Sequence, residues 1–90
     1  MAHTLKDKAK IISRVNRLKG QLDAFVKALE TEQDCYQNMQ LLSSCRGALN
    51  GLMSEVVAGH IREHIVEADN KKSAAESGED LIDIMKSFLK

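Results

Sequence analysis

The stretch from Asp34 to Glu67 contains no proline and, read as one helix, would run about 50 Å. A compact chain of 90 residues has a radius of gyration of only about 12 Å. Its own chain cannot wrap so long a helix, which must therefore lie along a partner. Asp34 fits the N-cap position. The middle of the helix is small, with Gly47, Ala48 and Gly51 in close succession. Each glycine there costs about 1 kcal/mol relative to alanine. Close approach of a second helix backbone is the expected reason for their presence.

The segments on either side read as shorter helices. Over about residues 4–29, Ile11, Val15, Leu18, Leu22, Phe25 and Leu29 recur at alternating spacings of four and three, the stripe of an amphipathic helix. Thr4 with Asp7 three residues on fits a capping box, and Glu30 to Asp34 reads as a turn. Ala68 to Gly78 is polar and rich in helix breakers, which predicts a linker. It leaves residues 79–89 as a last helix, with Leu81, Ile82, Met85, Phe88 and Leu89 on one face. Three turns are too few to persist unaided, so this helix should dock on the others. The expected fold is all-α: a single domain with a long central helix and a short C-terminal one, paired as an antiparallel helical dimer.

Composition supports a need for association. A chain this short buries only about 60% of its unfolded surface, and it has just one Tyr, two Phe and no Trp. Two cysteines allow at most one disulfide, no leader precedes the first charged residues, and no apolar run reaches the roughly 20 residues of a membrane span. The expected setting is the cytoplasm, with reduced thiols and no membrane partner. The net charge of +0 hides an asymmetry. Residues 1–27 carry a net +5 and the remainder −5. A polyanion would therefore meet one part of the molecule and be repelled by the other.

His60 and His64 stand four apart on the long helix, hence on one face, a spacing that lets two imidazoles share a metal. With Glu63 between them they match the H-x-x-E-H pattern of certain metalloproteases. A protease also needs a third ligand, a cleft and substrate subsites, for which so small a helical chain has little room, and no nucleophile–base pair stands out. Cys35 falls within about 40° of both histidines around the helix, yet roughly 37 Å from His60 along it. The three cannot meet in one chain. Against an antiparallel copy crossing near Gly47 and Ala48, Cys35 of one subunit lands beside His60 of the other, giving two equivalent sites. Cys45 lies about 80° around from Cys35 and roughly 15 Å along, which excludes a disulfide and leaves it as a small buried hydrophobe. His3 precedes the first helix, so recruiting it to a metal would move the basic helix behind it.

That basic helix presents Lys10, Arg14, Arg17 and Gln21 within about 60° of one another, offset from the apolar stripe. Together with Lys19 they form a candidate contact surface for DNA phosphates, with one or two arginines within reach of base edges. Arg46, on the long helix, is either a further phosphate contact or the partner of an acid such as Glu55.

The run Arg46-Gly47-Ala48-Leu49-Asn50-Gly51-Leu52-Met53, followed by Glu55-Val56 and His60, closely resembles the core of the CsoR/RcnR repressor family. The opening Ala2-His3-Thr4-Leu5-Lys6-Asp7-Lys8 and the run Arg14-Val15-Asn16-Arg17-Leu18-Lys19-Gly20-Gln21 look like that family's N-terminal helix. The resemblance spans almost the whole chain. It implies an all-α dimer of dimers that binds double-stranded operator DNA and represses metal-export or detoxification genes. The copper and persulfide sensors of the family carry a second cysteine where this chain has His64. The nickel/cobalt sensors carry a histidine near the N-terminus, a cysteine and two histidines, which here are His3, Cys35, His60 and His64. Mixed imidazole and thiolate donors suit Ni(II) or Co(II), with Zn(II) an alternative. The Ala2 amine, once Met1 is removed, and Glu63 are further candidate ligands. The formaldehyde sensors of the family use the matching cysteine, here Cys35, together with an N-terminal proline, from which Ala2 departs.

Overall fold

The computed structural model describes residues 7–89. They form three α-helices: α1 (Lys8–Glu30), α2 (Cys35–Ile61) and α3 (Lys71–Phe88). A π-helical turn, Arg62–Val66, continues α2, and no strand occurs among the described residues. The long central helix thus ends close to its expected limit, but its last turn is widened. The expected start of the first helix at Thr4, with its capping box, lies outside the described residues. Within them, Asp7 occupies the cap position, and its carbonyl accepts from Ile11 N–H at 3.0 Å.

The turn between α1 and α2 is built from local hydrogen bonds. Gln33 N–H donates to Ala28 O at 2.9 Å and Glu32 N–H to Leu29 O at 3.2 Å, the paired bonds of a Schellman motif. Glu32 sits at the left-handed position, φ 55°, where glycine is the usual choice. Asp34 then opens α2, its carboxylate accepting from Gln37 N–H at 2.8 Å.

The expected linker over residues 68–78 is the main correction to the fold. Only its first part connects; from Lys71 onward the chain is helical, so α3 has 18 residues instead of three turns. Asn70 supplies the cap, accepting from Ser73 N–H at 2.8 Å. Behind it, Lys71, Lys72, Ala74, Ala75 and Glu76 are all good helix formers. Asn70→Ala should lower stability by about 1 kcal/mol, seen as an earlier midpoint in urea denaturation with an unchanged slope.

The helices lie in one layer. The subunit measures 55 × 29 × 13 Å, and its least dimension is about one helix diameter. α1 runs back along α2, while α3 packs on the π turn that ends α2. The radius of gyration is 17.0 Å against about 12 Å for a compact chain of this length. The exposed area, 6893 Å², exceeds the roughly 5,200 Å² of a compact monomer of this mass. Among the described residues the buried apolar side chains are Ala28 and Cys45, both small. Cys45 therefore takes the place expected of a minor hydrophobe. Leu42, Leu49 and Val56, seven residues apart on α2, are 47%, 49% and 38% exposed. A domain ordinarily closes a core between two layers. Here a row of large apolar side chains remains outside any core.

Candidate functional site

His60 stands in the last turn of α2 and His64 in the π turn that follows. Their ring centroids are 5.2 Å apart with planes at 42°. Two imidazoles bound side by side to one ion at about 2.1 Å have centroids roughly 4.5–5.5 Å apart. The observed separation lies within that range. His60 Nε2–H donates to Ser77 O of α3 at 3.1 Å, which leaves the lone pair on Nδ1. Metal-binding histidines are commonly held in this way, one nitrogen fixed by a carbonyl and the other free to coordinate. Ser77, unremarked in the sequence, thereby ties α3 to the histidine pair.

The π turn is closed by Glu67 N–H donating to Arg62 O at 2.9 Å, five residues back. Such widened turns recur at functional sites. This one brings His64 and Glu63 to half-buried positions, with His64 Nε2 shut off from solvent.

Cys35 is the first residue of α2 and is exposed, its thiol free. It shares the helix with His60, 25 residues away, so about 37 Å of rise separates them. Among the described residues, no three His, Cys, Asp or Glu side chains converge on a point that could hold a metal. On the surface of α2, however, Cys35, Leu42, Leu49, Val56 and His60 fall within about 60° of one another. A thiol marks one end of the apolar row and an imidazole the other. His3 and the Ala2 amine lie outside the described residues.

The basic stripe lies on α1, with Lys10, Arg17 and Lys19 exposed and Arg14 and Gln21 half-buried. Two of its cations are already engaged. Lys10 Nζ and Arg14 Nη2 both reach Glu55 Oε1 of α2, at 3.1 and 3.6 Å. The hydrogen bond from Lys10 holds the Glu55 carboxyl below its ordinary range; partial desolvation opposes this, and the charges of Lys10, Arg14 and Arg62 add to it. Gly51 makes room for the arrangement: a Cβ there would lie 2.9 Å from Arg14 Nη1. Gly51 thus has a close neighbour within its own chain, whereas nothing in the chain stands within 4 Å of a Cβ at Gly47. Arg46 is exposed, and the acid foreseen as its partner is engaged by α1 instead.

A concavity of about 340 Å³ lies between α1 and α2, lined by Arg14, Arg17, Gln21, Ser44, Gly47 and Ala48. A second of about 260 Å³ is lined by Lys10, Ser13, Arg14 and Arg17. Both take a polar, cationic lining from the same face of α1. Shallow basic hollows of this size suit phosphate and sugar oxygens.

Residues 7–87 match the family model described as metal-sensitive transcriptional repressor. Over the full length of both chains, the sequence is 41% identical to a protein from the bioA 5′ region of Serratia marcescens. It is 36% identical, again over the full length of both, to the transcriptional repressor RcnR of Citrobacter koseri. Among solved structures it resembles a variant of the formaldehyde-responsive regulator FrmR from Salmonella enterica serovar Typhimurium. That match has a TM-score of 0.85 at 33% identity and covers 92% of this chain and 94% of the other.

Proposed function

The chain belongs to the metal-sensitive transcriptional repressors, which are not enzymes, and we propose that it is a nickel- or cobalt-responsive member that holds operator DNA when metal-free and releases it on binding the ion. Within that reading, two subunits pair antiparallel through the exposed row on α2, and two pairs assemble as a dimer of dimers. Each pair has two sites, one at either end. At each, His60 and His64 of one subunit face Cys35 of the other, and His3 with the Ala2 amine completes the donor set; Glu63 is a further oxygen donor beside the pair. The ion supplies a cross-link between subunits at the end of α2.

The observation that carries the proposal is the shared face of α2. Cys35 and His60 terminate one exposed apolar row, so covering that row with an antiparallel copy also completes the ligands. The donor chemistry favours this assignment: two imidazoles and one thiolate per site suit Ni(II) or Co(II), with Zn(II) the nearest competitor. Similarity to RcnR repressors along the full chain agrees with it.

Operator contact falls to α1. Lys10, Arg14, Arg17, Lys19 and Gln21 meet phosphates and base edges, with Arg46 as an additional phosphate contact. His3 stands directly before α1, so drawing the N-terminus toward the histidine pair repositions the cationic helix. No helix among the described residues is long and apolar enough to cross a membrane.

A second reading rests on the exposure of Cys35 and on the likeness to FrmR: formaldehyde would modify Cys35 and relieve repression without any metal. One experiment separates the two. A G-rich inverted-repeat duplex bound to the protein is titrated in parallel with Ni(II), Co(II), Zn(II), Cu(I) and formaldehyde. Release by nickel or cobalt at the lowest free concentration supports the proposal. Release by formaldehyde alone, with added mass on Cys35, supports the second reading in its place.

A further inference from the structure

The ion pairs at Glu55 place an acid at the Lys10 end of the surface assigned to DNA. One carboxylate oxygen, Oε1, is shared by Lys10 at 3.1 Å and Arg14 at 3.6 Å. An ammonium and a guanidinium one helical turn apart, bridged by a single oxygen, is the arrangement a phosphate oxygen would adopt with the same two cations. Gly51 keeps the path open, since a side chain there would meet Arg14. Arg17, which lines both basic concavities, is exposed and belongs to neither of these ion pairs.

We infer that Glu55 is an intramolecular competitor for DNA phosphate, a positioning residue that occupies Lys10 and Arg14 off DNA and yields them only where Arg17 and its neighbours are also satisfied. The inference rests on the assignment of α1 to DNA. The energetics suit a reversible competitor: the pairs join a half-buried carboxylate to the more exposed Lys10 and Arg14, and ion pairs open to solvent are weak and screened by salt. A DNA phosphate backbone, with its release of counterions, can displace such a competitor. Contact with an arbitrary sequence then has to overcome the acid with backbone contacts alone. A matched operator has to overcome the same acid, and its base-edge contacts come in addition. Glu55 therefore lowers the affinity for any duplex whose phosphates must displace it, by a common factor whatever the sequence.

The test compares E55Q, E55D and R17A with the unaltered protein. The probes are a random-sequence duplex and a G-rich inverted-repeat duplex over a range of salt concentrations, with helicity by circular dichroism as the folding control. E55Q should bind the random duplex about three- to tenfold more tightly, and its plot of log affinity against log salt should steepen by about one to two, near 0.9 for each added phosphate contact. E55D, which keeps the charge, should return most of the way to the original slope. R17A should weaken binding to both duplexes. If R17A weakens binding but helical E55Q does not tighten or steepen it, the assignment of Glu55 is overturned alone. If R17A leaves both affinities unchanged, the assignment of α1 to DNA fails, and this inference fails with it.

Discussion

Mixing a Cys35→Ser subunit with a His60→Ala subunit is expected to restore a metal-binding capacity that neither variant has by itself. Each homodimer lacks one essential donor at both of its sites. In an antiparallel heterodimer the two defects fall together at one end, and the other end combines an intact thiol with an intact imidazole. Random co-refolding of equal amounts gives heterodimers as half of all dimers, each with one complete site of two. Recovery should therefore be about a quarter of the unaltered protein's high-affinity sites. The measurement is equilibrium dialysis with Ni(II) or Co(II), backed by the ligand-field absorption of the cobalt-loaded protein. A site drawn from one subunit alone predicts no recovery at any mixing ratio. If Cys35 were no ligand, Cys35→Ser would bind normally by itself and the mixture would show no gain over its parts.

Leu42→Glu is expected to dissociate the assembly. Leu42 is 47% exposed in the subunit, and glutamate is nearly as good a helix former as leucine, so an isolated subunit loses little. In a two-fold dimer the change is made twice at the interface. About half of each leucine is left to be buried by the partner, so each one withdrawn costs about 0.7–1.5 kcal/mol, or about 1.5–3 kcal/mol per dimer before any charge is desolvated. The dimer dissociation constant should rise by roughly 10- to 100-fold at 1.4 kcal/mol per decade, and further with the desolvated charge. Sedimentation velocity at micromolar concentration should show a smaller species, and operator binding should go with it. A variant that sediments like the parent protein would mean that the row on α2 faces solvent in the assembly.

Both experiments draw on features legible in the sequence to different degrees. The spacing of Ile11, Val15, Leu18, Leu22, Phe25 and Leu29 located α1, and Asp34 marked the start of α2, because periodicity and capping are properties of the local chain. The start of α3 was not legible in the same way. The polar, breaker-rich composition of residues 68–78 masks an N-terminal signal, Asn70 followed by Lys, Ala and Glu. Once α3 docks on the π turn, tertiary contact and the His60–Ser77 bond offset the weak propensity of those residues.

The candidate site divides similarly. Placement of His60 and His64 on one face follows from their spacing, and the 5.2 Å ring separation agrees with it. The π turn was not foreseeable, because a five-residue-back hydrogen bond has no composition signature. Glu55 went to Arg46 in one sequence reading and to Lys10 and Arg14 in the structure. Which acid meets which base depends on how α1 slides along α2. That sliding register is fixed by packing, in which Ala28 of α1 and Cys45 of α2 are buried, and it leaves no pattern along either helix alone.

The 13 Å thickness of the subunit has a bearing on how the protein persists at low abundance. Where two such subunits pair as proposed, a layer of helices that buries so few apolar side chains by itself makes chain folding and chain encounter one event. Stability then depends on copy number: each tenfold dilution removes about 1.4 kcal/mol per dimer. Newly made chains that fail to meet a second copy stay open to proteases, and a cell that halts synthesis loses the last molecules fastest.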